Sequence, residues 1–393
     1  MSENTRRFEW AQPRGECERV GSAAGNEVAP RTTPSDPSVP GGRSDARERR
    51  GPRRSRERPS NADADIRREA SDDIRERFRF RAGGSLDTPP VVRDGRVYLG
   101  CADGCTYALD SDGSERWTAR IGGRLTAPAL GDGLVYVGRD DGVVVALDAV
   151  TGERRWRAAP VGGLQAAPVV ADATVYAAGD SGRVAALDAR DGGRVGTFRN
   201  AARAVCSLAV RDERLLLASL DGGAFAHDRT DGRERWRFAP GVAVRGAPAV
   251  ADDTAYLGTV DGGRVHAVSS VTGREQWRVE TGGGVWASPT VADGAVFVGS
   301  ADGFVYALDA ADGSVRWRVE TGARIWASAT VAGDLVLVGN DAGAVYAIDR
   351  AEGTVRWCFR AQGAVVAPVA VADSTVYVAD RGGRIYGLPK DPD

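Results

Sequence analysis

Short runs in which large and polar residues alternate recur along most of the chain, and tight-turn signals separate them. Residues 296–320 show the unit: Val296 to Val298 and Phe304 to Leu308 are β-branched and aromatic runs, and Ser300-Ala301-Asp302-Gly303 lies between them. The Asp-Gly turn supplies the φ > 0 position that a hairpin needs. A second turn, Ala311-Asp312-Gly313, leads into Ser314 to Val319, where alternation resumes. A further strand precedes these three, Ala287 to Val291, ended by Ala292-Asp293-Gly294. The pattern predicts a four-stranded antiparallel meander of roughly forty residues, too small to bury both faces, which must stack on copies of itself.

Sliding the unit along the chain puts Trp317 in register with Trp117, Trp156, Trp236, Trp277 and Trp357, with Phe78 and Gly196 at the two remaining places. The steps between neighbours are 39, 39, 40, 40, 41, 40 and 40 residues. Eight registered positions at one period mean a ring or an array. The last repeat has only three strands, at 366–371, 375–379 and 384–388, and Pro389-Lys390-Asp391-Pro392 cannot continue it. Residues 74–81 are a spare copy of the missing fourth strand. Joining the two removes the open sheet edges, so the expected fold is all-β, an eight-bladed β-propeller of four-stranded antiparallel blades over residues 73–393.

Composition changes the picture at the other end. Residues 1–72 are rich in Arg, Glu, Ser, Pro and Gly with almost no apolar periodicity, so they are expected to be a disordered tail. Within it, Arg47 to Arg58 is the most basic stretch, read either as a solvated linker or as a contact to an anionic surface or nucleic acid. Residues 1–81 carry a net +4 and the remainder a net −6, which argues against nucleic acid as the partner of the propeller itself. Lysine occurs once, at Lys390, so arginine carries nearly all the cationic charge. Arg6-Arg7 is followed by no apolar segment of the kind an export signal needs, and no run approaches a membrane helix. The expectation is a soluble, cytoplasmic monomer, unless translation starts elsewhere than Met1.

The signature Ala146-Leu147-Asp148…Gly152…Trp156 returns as Ala307-Leu308-Asp309…Gly313…Trp317 and Ala347-Ile348-Asp349…Gly353…Trp357. Small Ala leaves room for an indole, Asp accepts from turn N–H groups, and Gly takes the left-handed turn position. Over residues 74–388 this resembles the tryptophan-docking motif of the quinoprotein (PQQ-type) propeller repeat, with Trp117, Trp156, Trp236, Trp277, Trp317 and Trp357 as docking residues. Gly196 in repeat three and Ser269, where Asp is usual, in repeat five depart from it and predict looser blade packing.

The resemblance implies one of two activities. PQQ-dependent dehydrogenases use a calcium or lanthanide site of Glu, Asn and Asp, a catalytic Asp, often a vicinal disulfide, and long insertions. The BamB-like group is non-enzymatic and presents loops to protein partners. This chain has no adjacent cysteines, no long insertion, and Asn340 as its one asparagine in an inter-strand turn. The reading is therefore a non-catalytic scaffold with no cofactor and no metal, against a quinoprotein dehydrogenase or a carbohydrate or small-ligand binder.

Candidate chemistry is sparse. Cys101 and Cys105 flank a three-residue turn and are either a disulfide or two ordinary strand residues. The second-to-third-strand turns all hold an aspartate (103, 141, 180, 221, 261, 302, 341 and 380), either a cation-attracting ring or plain turn chemistry. One varied position per repeat falls at the start of the innermost strand: Asp87, Leu125, Gln165, Val205, Arg245, Trp286, Trp326 and Val366, or Val365 on a second alignment of the last repeat. Small residues follow each, so the varied position stands out near the centre. Asp87, Gln165, Arg245, Trp286 and Trp326 are the candidate binding residues. Two indoles beside a guanidinium can clamp a flat ligand or a partner's side chain; the alternative is that they plug the channel.

Overall fold

A computed structural model describes residues 74–203 and 205–392. The expected tail and Cys17 lie outside the described residues. The remainder forms eight four-stranded antiparallel sheets, seven of them built from four consecutive strands. Blade one is typical, with strands Val91–Arg93, Arg96–Gly100, Cys105–Asp110 and Glu115–Arg120. The eighth sheet joins Ala370–Ala372, Thr375–Ala379 and Arg384–Pro389 to Phe78–Arg81 from the other end of the chain. Phe78 faces Gly387 and Arg81 faces Arg384 in that pairing. The closing strand is shorter than the expected 74–81: only Phe78 to Arg81 pair, while Ile74 is buried against Trp357 and Leu335 of blade seven. Among the described residues no helix is long and apolar enough to cross a membrane.

Innermost strands are three residues long in seven blades, and in six of these a proline stands immediately before the strand (Pro90, Pro128, Pro168, Pro248, Pro289 or the Pro368–Val369 pair). Proline has no N–H for a ladder, so the strand begins after it. Blade four has Leu208 at this place and its innermost strand runs Val205–Arg211. Ala329 in blade seven shows that losing the proline permits the extension without compelling it.

The blades are held to one another by the docking residues. Trp117 Nε1 donates to the Ala149 carbonyl of the next blade at 3.2 Å, and Trp156, Trp236, Trp277, Trp317 and Trp357 donate to Ala189, Ser270, Ala310, Arg350 and Lys390. Each indole except that of Trp357 covers a glycine of the following blade. A Cβ on Gly152 would stand 2.7 Å from Trp117, and one on Gly353 2.8 Å from Trp317. Only glycine fits, both for that contact and for its positive φ. The aspartate of the same turn accepts two backbone amides, as Asp148 does from Val150 and Thr151 at 2.9 Å. Hydrogen bonds from Arg155 and from Thr151 N–H bring the Asp148 carboxyl down to about 2. Ala of the signature is the register partner of its own blade's Trp, and the ladder shifts by one residue just after it.

Repeats three and five are not left loose. Phe198, two residues beyond Gly196, covers Gly232, whose added Cβ would meet it at 2.7 Å. Its ring lies 4.9 Å from that of His227, and His227 Nε2 is 2.9 Å from Asn200 Oδ1. In repeat five the Ser269 hydroxyl accepts from Val271 and Thr272 at 3.3 and 3.2 Å, longer than the aspartate bonds. The expected loosening is thus absorbed by a displaced aromatic in one case and a weaker cap in the other.

Candidate functional site at the centre of the ring

The innermost strands start later than the sequence suggests. Trp286 lies four residues before its strand, Thr290–Ala292, so the varied positions sit in the segments that lead into the blades. Backbone bonds fix their correspondence. Val285, Ile325 and Val365 N–H groups donate to Thr259, Ser300 and Asn340 of the preceding blades. Trp286, Trp326 and Val366 are therefore equivalent, and the first alignment of the last repeat holds. Leu125 belongs one place earlier: it bridges Arg139 as Leu164 bridges Gly179 and Val244 bridges Thr259. Blade two is one residue shorter here and has no residue at the varied position. Leu125, Val205 and Val366 are buried, whereas Asp87, Gln165, Arg245, Trp286 and Trp326 are half-buried.

Three of the five form one stack. The Arg245 guanidinium lies over the Trp286 ring at 5.1 Å, and the Trp286 and Trp326 centroids are 5.0 Å apart at 80°. This is the edge-to-face arrangement that the ring quadrupole favours, with a cation on the negative face of one member. Close backbone approach holds it in place. A Cβ on Gly246 would meet Ala287 backbone atoms at 2.5 Å, and one on Gly284 would stand 2.9 Å from Trp286 Nε1. Ser288 N–H donates to Ser328 Oγ at 3.1 Å, tying the two tryptophan-bearing segments.

Asp87 stands elsewhere in the ring, in an ion cluster. It accepts from Ser85 at 2.6 Å and pairs with Arg124 of blade two at 3.2 Å and Arg381 of blade eight at 3.3 Å. Gln165 Oε1 is buried with no hydrogen-bond partner among the described residues. Such an atom carries a desolvation cost until a donor reaches it.

Three of the second-to-third-strand turn aspartates are engaged in the fold in the same way. Asp103 accepts from Cys105 N–H and Tyr107 Oη, Asp302 from Phe304 N–H and Tyr306 Oη, and Asp380 from Arg384 N–H and Tyr386 Oη. Cys101 and Cys105 are free thiols. Burial first, then the neighbouring Asp103, pushes the Cys101 thiol up to about 12, which disfavours the thiolate form.

Asn340, the asparagine that the calcium site of the PQQ enzymes would call for, is not free to serve as a ligand. Asn340 is consumed by structure: Nδ2 donates to Thr321 O and Oδ1 accepts from Ala342 and Ala344 N–H. Among the described residues no three His, Cys, Asp or Glu side chains come together as a metal-holding group.

Comparison with known proteins agrees with the fold. The BamB of Moraxella catarrhalis superposes with a TM-score of 0.69 at 20% identity, over 81% of this chain and 100% of that one. Sqt1 of Saccharomyces cerevisiae gives 0.71 at 12% identity, over 81% and 100%. The quinohemoprotein alcohol dehydrogenase of Comamonas testosteroni gives 0.66 at 16% identity, over 82% and 77%. At these identities the likeness is one of fold. No curated protein matches the sequence significantly. A family profile described as outer membrane protein assembly factor BamB matches residues 107–214, 180–280, 220–325 and 305–391. With five of the six docking tryptophans seated on the next blade's glycines, and most of the chain matched, this protein belongs to that BamB-like family of PQQ-type propeller repeats.

Proposed function

We propose that the propeller is a non-catalytic binding scaffold, working without cofactor, which takes a protein or small-molecule partner at the central mouth on Arg245, Trp286 and Trp326. The contact among these three side chains carries the reading. They come from three consecutive blades, remain half-buried, and form a continuous apolar and cationic surface. A partner side chain or flat ring can lie along the accessible part of the half-buried indoles, while the guanidinium pairs a carboxylate. The unpartnered Gln165 acceptor supplies a further polar contact in the same ring, and Asp87 with its two arginines supplies a charged border. Membership of a family named for an assembly factor favours a protein as that partner.

The test is capture by the full chain from the native cell, compared with Trp286→Ala/Trp326→Ala. The reading expects the captured partner to be lost while the β-sheet circular dichroism and melting point hold. Loss of the fold would assign the indoles to the core, and unchanged capture would move the site elsewhere. Dye reduction by the chain reconstituted with calcium and PQQ would overturn the non-catalytic reading.

A further inference from the structure

The gaps between blades follow a rule, and one gap breaks it. Two residues past each docking position, a side chain meets the residue preceding the signature alanine of the next blade. Phe80 meets Tyr107 with centroids 5.7 Å apart, Phe238 meets His266 at 5.1 Å, and Phe359 meets Tyr386 at 5.3 Å. Val279 with Tyr306, and Val319 with Tyr346, share core clusters at the same place. Between blades one and two the pair is Ala119 and Val145. Both are small, and a cleft of about 310 Å³ opens there, floored by Val145 and Leu147. Small residues alone do not explain it. Ala158 and Ala185 are equally small between blades two and three, but Val161, at the place where blade one has Gly122, is buried with them.

Charge breaks the pattern at the same place. In three blades an arginine just after the docking residue pairs with a glutamate three residues before it: Arg237 with Glu234 at 2.6 Å, Arg278 with Glu275 at 3.3 Å, Arg79 with Glu76 at 2.8 Å. In blade two Arg154 stands at the glutamate position, as Arg194 does in blade three, and here both Arg154 and the Arg157 three residues on line the cleft. Arg120 and Arg139 line the same cleft, and no carboxylate does. Arg139 is held by Asp141 and donates to Ile121 O at 3.3 Å. Arg120, Arg154 and Arg157 have no carboxylate partner among the described residues. Asp141 is the one carboxylate seen to act on this group, through Arg139 and at longer range on Arg157, so four guanidiniums share one counter-charge, and an anion with several acceptor oxygens relieves their repulsion best.

We infer that this cleft is a binding site for a small organic phosphate, separate from the central mouth. The phosphoryl oxygens face Arg120, Arg154 and Arg157, and an apolar body of the ligand covers Val145 and Leu147. The volume stands at the lower end of ligand pockets, about 300–1,000 Å³, and exceeds what a bare phosphate fills.

Isothermal titration of the full chain at low salt, with phenyl phosphate, inorganic phosphate and phenol as probes, tests this. Phenyl phosphate is expected to bind once per chain, at least tenfold tighter than inorganic phosphate, and phenol not at all. Arg154→Glu restores the pair seen in other blades and should weaken phenyl phosphate at least tenfold with the melting point held or raised. Ala119→Phe/Val145→Tyr refills the gap and should abolish binding; should that variant fail to fold, Arg154→Glu and Arg120→Ala still decide the matter. Absence of saturable phenyl phosphate binding, equal affinity for inorganic phosphate, or wild-type affinity in Arg154→Glu and Arg120→Ala overturns the proposal.

Discussion

Phe78 closes the ring as the docking tryptophans join the other blades, and a pair of glycines measures what that contact is worth. A Cβ on Gly113 would stand 2.2 Å from Phe78 Cδ2, and φ there is +85°. Gly95, in the same blade, has φ +70° and nothing within 4 Å of its Cβ position. Gly95→Ala therefore reports backbone strain alone, about 1–2 kcal/mol for a left-handed residue. Gly113→Ala adds displacement of the ring, an overpacking cost of about 1–3 kcal/mol. The expected difference between the two is about 1–2 kcal/mol, at the lower end because Phe78 is half-buried and has room to yield. In a Phe78→Ala background the extra cost should vanish, giving a coupling of the same size. Urea denaturation followed by tryptophan fluorescence reads all four variants. Equal costs for the two glycines, or an excess that survives Phe78→Ala, would refute the docking argument.

Three further outcomes follow from the same geometry. Removing residues 1–82 should lower the melting temperature far more than removing 1–73, because only the first deletion takes away the strand that pairs with Arg384–Pro389; equal melting points would count against ring closure. His227 and His266 are both held below the ordinary histidine value, in each case chiefly by burial, with Glu234 and Arg237 near the first and Glu275, Arg264 and Arg278 near the second. The native state keeps both neutral while the unfolded chain takes up protons below about pH 6.5, so stability should be constant near pH 7–8 and fall on acidification from about 6.5. His227→Gln/His266→Gln should flatten that fall in melting temperatures taken between pH 5 and 8, and an unchanged slope would exclude the histidines as its source. Ser269→Asp should stabilise by roughly 0.5 kcal/mol by shortening the turn bonds; Ser269→Asp/Gln276→Arg, which adds the arginine found in blades one, two, four, six and seven, should gain more in the same urea assay.

Blade number, the closing strand and the docking register were legible because one large side chain marks the same place in each repeat, and Gly196 could be placed by counting alone. The five half-buried mouth residues were legible for a related reason: each breaks a row of small neighbours. Boundaries were not, since the prolines before the innermost strands delay pairing, and blade two lacks a residue at the mouth, which put Leu125 in the wrong row. The aspartate turns read equally as a cation ring or as turn chemistry, because the tyrosine that occupies Asp103, Asp302 or Asp380 lies in the following strand. Least legible was the arginine cleft. Ala119 and Val145 are unremarkable in their own repeats and matter only because two different blades bring them face to face. Comparing each position with its counterparts across the gap, rather than along the chain, is the signal that reveals it.

The pairing of Phe78 with Gly387 has a consequence in time as well as in space. The two partners are separated by roughly 300 residues, so at about 5–20 residues per second the early strand waits some 15–60 s on the ribosome before its mate is made. Throughout that interval Phe78 and Phe80 have no sheet to join, and the first and the latest completed blades each leave an uncovered flank. The nascent chain therefore spends most of its synthesis as an open crescent, and a chaperone that shields residues 78–81 would act at the one place where premature pairing with another copy does lasting harm.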